Sequence, residues 1–310
     1  MNTKPNEDWG RAIRLGGLRR FAVAISVLTL LGHGWLGFET SWINPLVSLL
    51  TGYVLELVLE WVDARAHSRA LRFAQEGFLG VVHFLLPAHI TSLAVSMLLY
   101  PNERLFPVVF ATAVAMGSKH IWRCTVDGKI KHFMNPSNFG IALTLVLFPW
   151  VGIAMPYQYT ENLSGAGDWV LPAIIICSGT FINFRYTKRL PLLGCWCLGF
   201  IGQGVLRTLF FDATFVSTIA PMTGMAFLLF TYYMLTDPAT SPYPLKSQMA
   251  FGFGVALAYG VLTAMHIVFG FFFALVLVCA LRGAWMLFRS AQENRGEALT
   301  RGATADAQRA

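Results

Sequence analysis

The stretch FAVAISVLTLLGHGWLGF, residues 21–38, decides the class of fold. His33 is its one ionisable side chain. A membrane-crossing helix needs about 20 mostly apolar residues, and this run approaches that length. The basic RAIRLGGLRR before it resembles the start of a signal peptide. No small-residue cleavage site follows, so the run reads as an uncleaved first span. Similar runs recur along the 310-residue chain, which is 55% hydrophobic and 13% charged. Soluble domains carry about a quarter charged residues. A transmembrane β-barrel would alternate apolar and polar positions in shorter segments, and these runs do not. The sequence therefore predicts an all-α, polytopic membrane protein. About ten spans are expected, over 21–38, 42–62, 78–100, 104–122, 137–155, 169–184, 190–211, 214–235, 247–268 and 270–288. Residues 1–20 form an N-terminal segment, 21–288 the membrane domain, and 289–310 a polar, Ala-rich tail expected to be disordered.

Placing the N-terminus in the cytoplasm sorts the charges. All of the 23 Lys and Arg residues then fall in cytoplasmic segments except Arg104 and Arg207. This positive-inside bias predicts a multi-pass protein of the inner, cytoplasmic membrane with both termini cytoplasmic. The net charge of +7 is then a topology signal, and no nucleic-acid partner is expected. The expected partner is the lipid bilayer. No loop is long enough for a catalytic domain, so any chemistry must sit in the bundle or at its edges.

Few side chains offer chemistry. None of the five cysteines forms a C-x-x-C pair, and no metal site or disulfide framework is expected. Ionisable residues inside spans are functional candidates by default. Glu56 and Glu60 lie one turn apart, and Glu60 reads as headgroup-level, beside Arg65. His83 and His89 share the third span on different faces, so they do not read as paired ligands. They read as interhelical glue, as do His33, Gln203, Arg207 and His266.

Two polar breaks stand out: HFMNPSNFG (132–140) and YYMLTDPATSP (232–242). An Asn or Asp at N-cap with Pro at the next position is a helix-start signature. Asn135–Pro136 should open the span at 137–155. Asp237–Pro238 should open a short turn that Pro242 and Pro244 soon break. The breaks lie four spans apart, so both fall on one membrane face, and their separation points to an internal duplication. Irregular backbone at membrane depth is tolerated where it is buried or lines a cavity. Helix N-termini there offer free N–H groups and a positive dipole end. A flavin that takes on negative charge fits such a site, and so does an anion or a small polar solute.

At these residues the chain resembles a known family of membrane proteins. It comprises the NqrB component of the sodium-pumping NADH:quinone reductase, the RnfD component of the Rnf electron-transport complex, and their UnbU-type relatives from enediyne biosynthetic clusters. The resemblance rests on KIKHFMNPSNFGIALTLVLFPW (129–150), RYTKRLPLLG (185–194) and FLLFTYYMLTDPATSP (227–242), in matching order and spacing. It implies ten spans in two related halves, flavin-linked electron transfer, and redox partner subunits. It places the flavin, riboflavin or FMN, beside Asn135, Pro136 and Asn138 and beside Thr236, Asp237, Pro238 and Thr240. The family's redox members attach FMN to the Thr of an external Ser-Gly-Ala-Thr motif. Here Ser164, Gly165 and Ala166 are followed by Gly167, which has no hydroxyl to esterify. The expected flavin is therefore non-covalent, and the UnbU-type likeness implies a biosynthetic role. The alternative is a transporter or channel for a small polar solute through the same central cavity.

Overall fold

The structure is a computed structural model that describes residues 5–74, 77–126, 129–154 and 161–307. The first part of the external loop expected over 156–169 lies outside the described residues. Helices dominate: α1 (Pro5–Leu31), α2 (Ile43–Ala66), α3 (Gly77–Leu98), α4 (Leu105–Ile121), α5 (Pro136–Leu147) and α6 (Gly167–Ile182) come first. They are followed by α7 (Leu190–Phe210), α8 (Phe215–Ile219), α9 (Met225–Leu229), α10 (Leu245–Ala264) and α11 (Gly270–Ala307). Two short antiparallel ribbons complete the described chain. Strand β1 (Leu99–Tyr100) pairs with β4 (Gly152–Ile153), and β2 (Arg123–Val126) with β3 (Lys129–His132).

Among the described residues seven helices are long and apolar enough to cross a membrane, or eight if one bent pair counts as a single span. The expectation of about ten spans is met to that extent. Helices occupy the other expected places, but α4 has 17 residues and α5 only 12. At 1.5 Å per residue, α5 reaches about 18 Å against a hydrocarbon core of about 30 Å. Its end has a local cause: Pro149 pushes the preceding residue out of the helical region, and Phe148 sits at φ −123°, ψ 86°. The bent pair runs through Phe215–Thr223 and Met225–Met234, with 65° between its parts. Pro221 has no N–H to give, and Gly224 is extended at ψ 145°. Past the last span, α11 continues to Ala307. Its Ala, Glu, Gln and Arg are good helix formers.

The exterior is apolar. Phe78 is 81% exposed and Trp169 77%, levels a soluble surface would not carry in a continuous belt. Inside, Trp196, Phe200, Phe227, Phe230, Tyr259 and Phe271 form one aromatic cluster with centroids 4.8 to 6.3 Å apart. Between helices, small residues permit backbone contact. A Cβ on Gly140 would stand 2.2 Å from the Ala111 carbonyl oxygen of α4, and one on Gly252 would stand 2.4 Å from that of Leu192 in α7. Polar glue crosses the apolar layer as expected. The Ser26 hydroxyl donates to the Ala22 carbonyl, so its oxygen accepts from His89 Nε2 at 2.7 Å. His89 Nδ1 must then accept from the Tyr53 hydroxyl.

Glu60 is a correction. It is 1% exposed, and its partners are Arg69 and Arg72, not Arg65. Arg69 donates to both carboxylate oxygens, at 2.6 and 2.9 Å, and the Arg72 amide and Nε add bonds at 2.9 and 2.8 Å. Arg69 also reaches Asp63, and these two carboxylates raise its pKa. Folding of the chain after α2 back onto its last turn creates this enclosure, which linear spacing did not reveal. Removing one partner of a buried ion pair costs about 3–5 kcal/mol. Glu60→Ala, which leaves Arg69 still paired with Asp63 and Arg72 more than half exposed, should lower the melting temperature in detergent, and Glu56→Ala, which leaves Lys119, 12% exposed, without its carboxylate, should lower it too.

Candidate functional site

A helix ends with carbonyls that have no donor from a following turn. The broken span ends in a π-helical turn, Phe230–Met234. Side chains from elsewhere take its carbonyls. Tyr232 O accepts from Thr236 Oγ1 at 2.6 Å and from Asn183 Nδ2 at 3.0 Å. Met234 O accepts from Asn135 Nδ2 at 2.9 Å.

Asn135 therefore works at two places. Its Oδ1 caps α5 by accepting the Asn138 amide at 3.1 Å, with Pro136 in the first turn, as the sequence predicts. Ser137 donates to the same oxygen. The amide nitrogen of Asn135 bridges to the end of the broken span. This single bond brings the first Asx-Pro motif against the second. Asn138, 1% exposed, donates through Nδ2 to Phe272 O at 2.9 Å, while its Oδ1 is buried without a partner.

At the second motif, Asp237 organises its own turn. Oδ1 accepts the Ala239 amide at 3.1 Å and Oδ2 the Thr240 hydroxyl at 2.9 Å. Its carbonyl accepts from the Ser241 amide and hydroxyl. Thr236 and Thr240 are buried, Asp237 is half-buried and Pro238 is exposed. Two arginines pin the turn from outside. Arg189, 2% exposed, donates through Nε to Ser241 Oγ at 2.8 Å and through Nη2 to Ser241 O at 3.3 Å. Arg282 donates to Thr240 O. Among the described residues neither arginine makes a salt bridge. Arg189 Nη1 has no hydrogen-bond partner, and burial pushes the Arg189 guanidinium pKa down, against the opposing pull of Tyr243 and Asp237.

Asn183, Arg189 and Arg282 were not singled out as site residues by sequence reasoning. Asn183 is wholly buried; its Nδ2 donates to Gly179 O and Tyr232 O and its Oδ1 accepts from the Thr187 hydroxyl. Its signal was present: an Asn followed by RYTKR marks a span end, where spare carbonyls accumulate. The two arginines counted only toward charge sorting. Gly167, at the first position of α6, has room for a side chain, since a Cβ would meet Leu163 at an ordinary 3.6 Å. Among the described residues no group of three His, Cys, Asp or Glu could hold a metal ion.

His132, at the end of β3, stands in the field of Asp237, Lys119, Glu56 and His120. Burial pushes its imidazole below the ordinary 6.5, with Asp237 and Glu56 pulling upward and Lys119 and His120 downward. The folded chain thus favours neutral His132. That contribution is whole above the ordinary value and is lost as the pH falls below it. The chain should lose stability between about pH 7 and about pH 5, and His132→Gln should lose less over the same interval in thermal melts. Asn135→Ala removes a cap and bares a buried carbonyl. It should cost about 2 kcal/mol or more, and Asn135→Asp should restore only the cap.

No protein-family model matches this chain, and no curated protein matches it.

Proposed function

We propose that this chain is a membrane-embedded, flavin-binding electron-transfer protein, similar in kind to the NqrB component of the sodium-pumping NADH:quinone reductase and the RnfD component of the Rnf complex. The observation that carries the reading is the bond from Asn135 Nδ2 to Met234 O at 2.9 Å, which draws both Asx-Pro turns into one polar constellation. The first motif holds a buried acceptor without a partner, Asn138 Oδ1, and the arginine that pins the second holds a buried donor without a partner, Arg189 Nη1. A flavin ring edge presents both donors and acceptors, so these orphaned atoms fit the group. Arg189 and Arg282, which make no salt bridge among the described residues, favour a ligand that gains negative charge.

Asn135, Pro136 and Asn138 would line one side of the flavin, and Thr236, Asp237, Pro238 and Thr240 the other. Bound there, flavin would supply one- and two-electron redox chemistry. The chain would orient the ring through the Asn138 amide and the Asp237 turn. It would tune the ring's affinity for electrons through the two arginines and the N-terminus of α5. With Gly at 167 the attachment is non-covalent. The packing pattern favours two related halves: α1 on α3, α2 on α3 and α4, and α4 on α5 recur as α6 on α9, α7 on α8 and α10, and α10 on α11. In that reading α4 and α5 count as spans, both termini are cytoplasmic, and electrons pass to and from redox partner subunits.

Purification in mild detergent should give a yellow protein whose flavin is released by acid precipitation. Asn138→Leu and Asp237→Asn should lower the flavin-to-protein ratio while the protein still elutes as one folded species. A colourless wild-type protein that takes up no added riboflavin or FMN would overturn the reading.

A further inference from the structure

The first span carries a basic pair that the Asx-Pro turns do not use. Arg19 and Arg20 lie in the second turn of the candidate span Leu15–Leu36, and both are exposed. At 1.5 Å per residue they stand about 6 to 8 Å inside its first residue, roughly the thickness of one headgroup layer. Successive residues turn by about 100°, so Gly16, Arg19, Arg20, Val23, Ala24 and Val27 fall on one face of α1. A recess of about 320 Å³ on that face is lined by Arg19, Arg20, Val23 and Ala24.

Long cationic side chains at a membrane edge ordinarily reach out to water. These two are held against the protein instead. The Arg19 guanidinium donates to His83 Nε2 of α3. That of Arg20 lies over the ring of Tyr186, in the turn after α6, 4.9 Å from its centre. Arg20 also folds back along its own helix, with Nη1 3.4 Å from where a Cβ on Gly16 would stand. A Cβ on Gly17 would meet nothing within 4 Å, so the helix surface beside the pair is open. Among the described residues neither arginine makes a salt bridge. In α1 the carboxylates nearest in sequence, Glu7 and Asp8, precede Arg19 by three turns, about 16 Å. Past the pair, the same face continues with exposed Val23, Val27 and Leu30.

Positive charge held at headgroup depth thus adjoins an exposed apolar track. A ligand that matches both parts is amphipathic and anionic. Guanidinium donors pair well with phosphate oxygens, and basic residues at a span end attract anionic lipid. We propose that the recess on α1 binds one phospholipid of net negative charge, its phosphate on Arg19 and Arg20 and an acyl chain along Val23, Val27 and Leu30. A zwitterionic headgroup would bring its own ammonium to two arginines and is disfavoured. The proposal rests on the membrane-spanning fold and uses none of the flavin-site residues.

Native mass spectrometry of the full chain in mild detergent tests it with dioleoyl phosphatidylglycerol and dioleoyl phosphatidylcholine. The wild type should bind one phosphatidylglycerol several-fold more tightly than one phosphatidylcholine. Arg19→Gln with Arg20→Gln should abolish that preference. Ala24→Trp, which fills the recess and keeps the charge, should weaken phosphatidylglycerol binding several-fold. Arg65→Gln with Arg289→Gln removes the same charge from two arginines elsewhere and should leave the preference intact. All five positions are exposed, so each variant should melt like the wild type. Equal binding of the two lipids by the wild type overturns the proposal, as does unchanged binding by Ala24→Trp. Loss of preference in the Arg65 and Arg289 variant also overturns it, since net charge alone then selects the lipid. Displacement of the lipid by an equal concentration of inorganic phosphate does so too, because the arginines then hold free phosphate.

Discussion

A helix that stops inside or at the edge of an apolar layer must find donors for its last carbonyls, because no water is there to supply them. Much of this structure answers that demand. The broken span ends at Met234, and three side chains from three parts of the chain come to its carbonyls: Thr236, Asn183 and Asn135. Each is buried and each makes the contact at 3.0 Å or less. Asn135 cannot meet Met234 unless α5 begins where it does, and α5 begins there because the same residue caps it. Local helix initiation and long-range packing are thus one event at one residue.

The arginines repeat this logic with charge. Arg69 and Arg72 enclose Glu60, so the charges of that cluster are matched within the protein. Arg189 and Arg282 instead direct their donors to the carbonyls of Ser241 and Thr240. They hold the Asp237 turn in place and, among the described residues, make no salt bridge of their own, although Asp237 lies close enough to pull on Arg189.

Much of the fold was legible because the bilayer imposes simple rules. Length and apolarity alone marked the seven long helices, and Asn-Pro and Asp-Pro marked the cap of α5 and the turn at Asp237. The tertiary structure decided what is set by contact. It enclosed Glu60 with Arg69 and Arg72 and joined Asn135 to Met234 across about a hundred residues of chain. Hydropathy and capping are written in neighbouring residues, so the sequence by itself determined a helical membrane protein and its helix starts. The partner of a buried amide or guanidinium depends on which helices meet, so only the tertiary structure could decide which polar groups are closed and which, like Asn138 Oδ1, Arg189 Nη1 and the Gln203 amide, are left open.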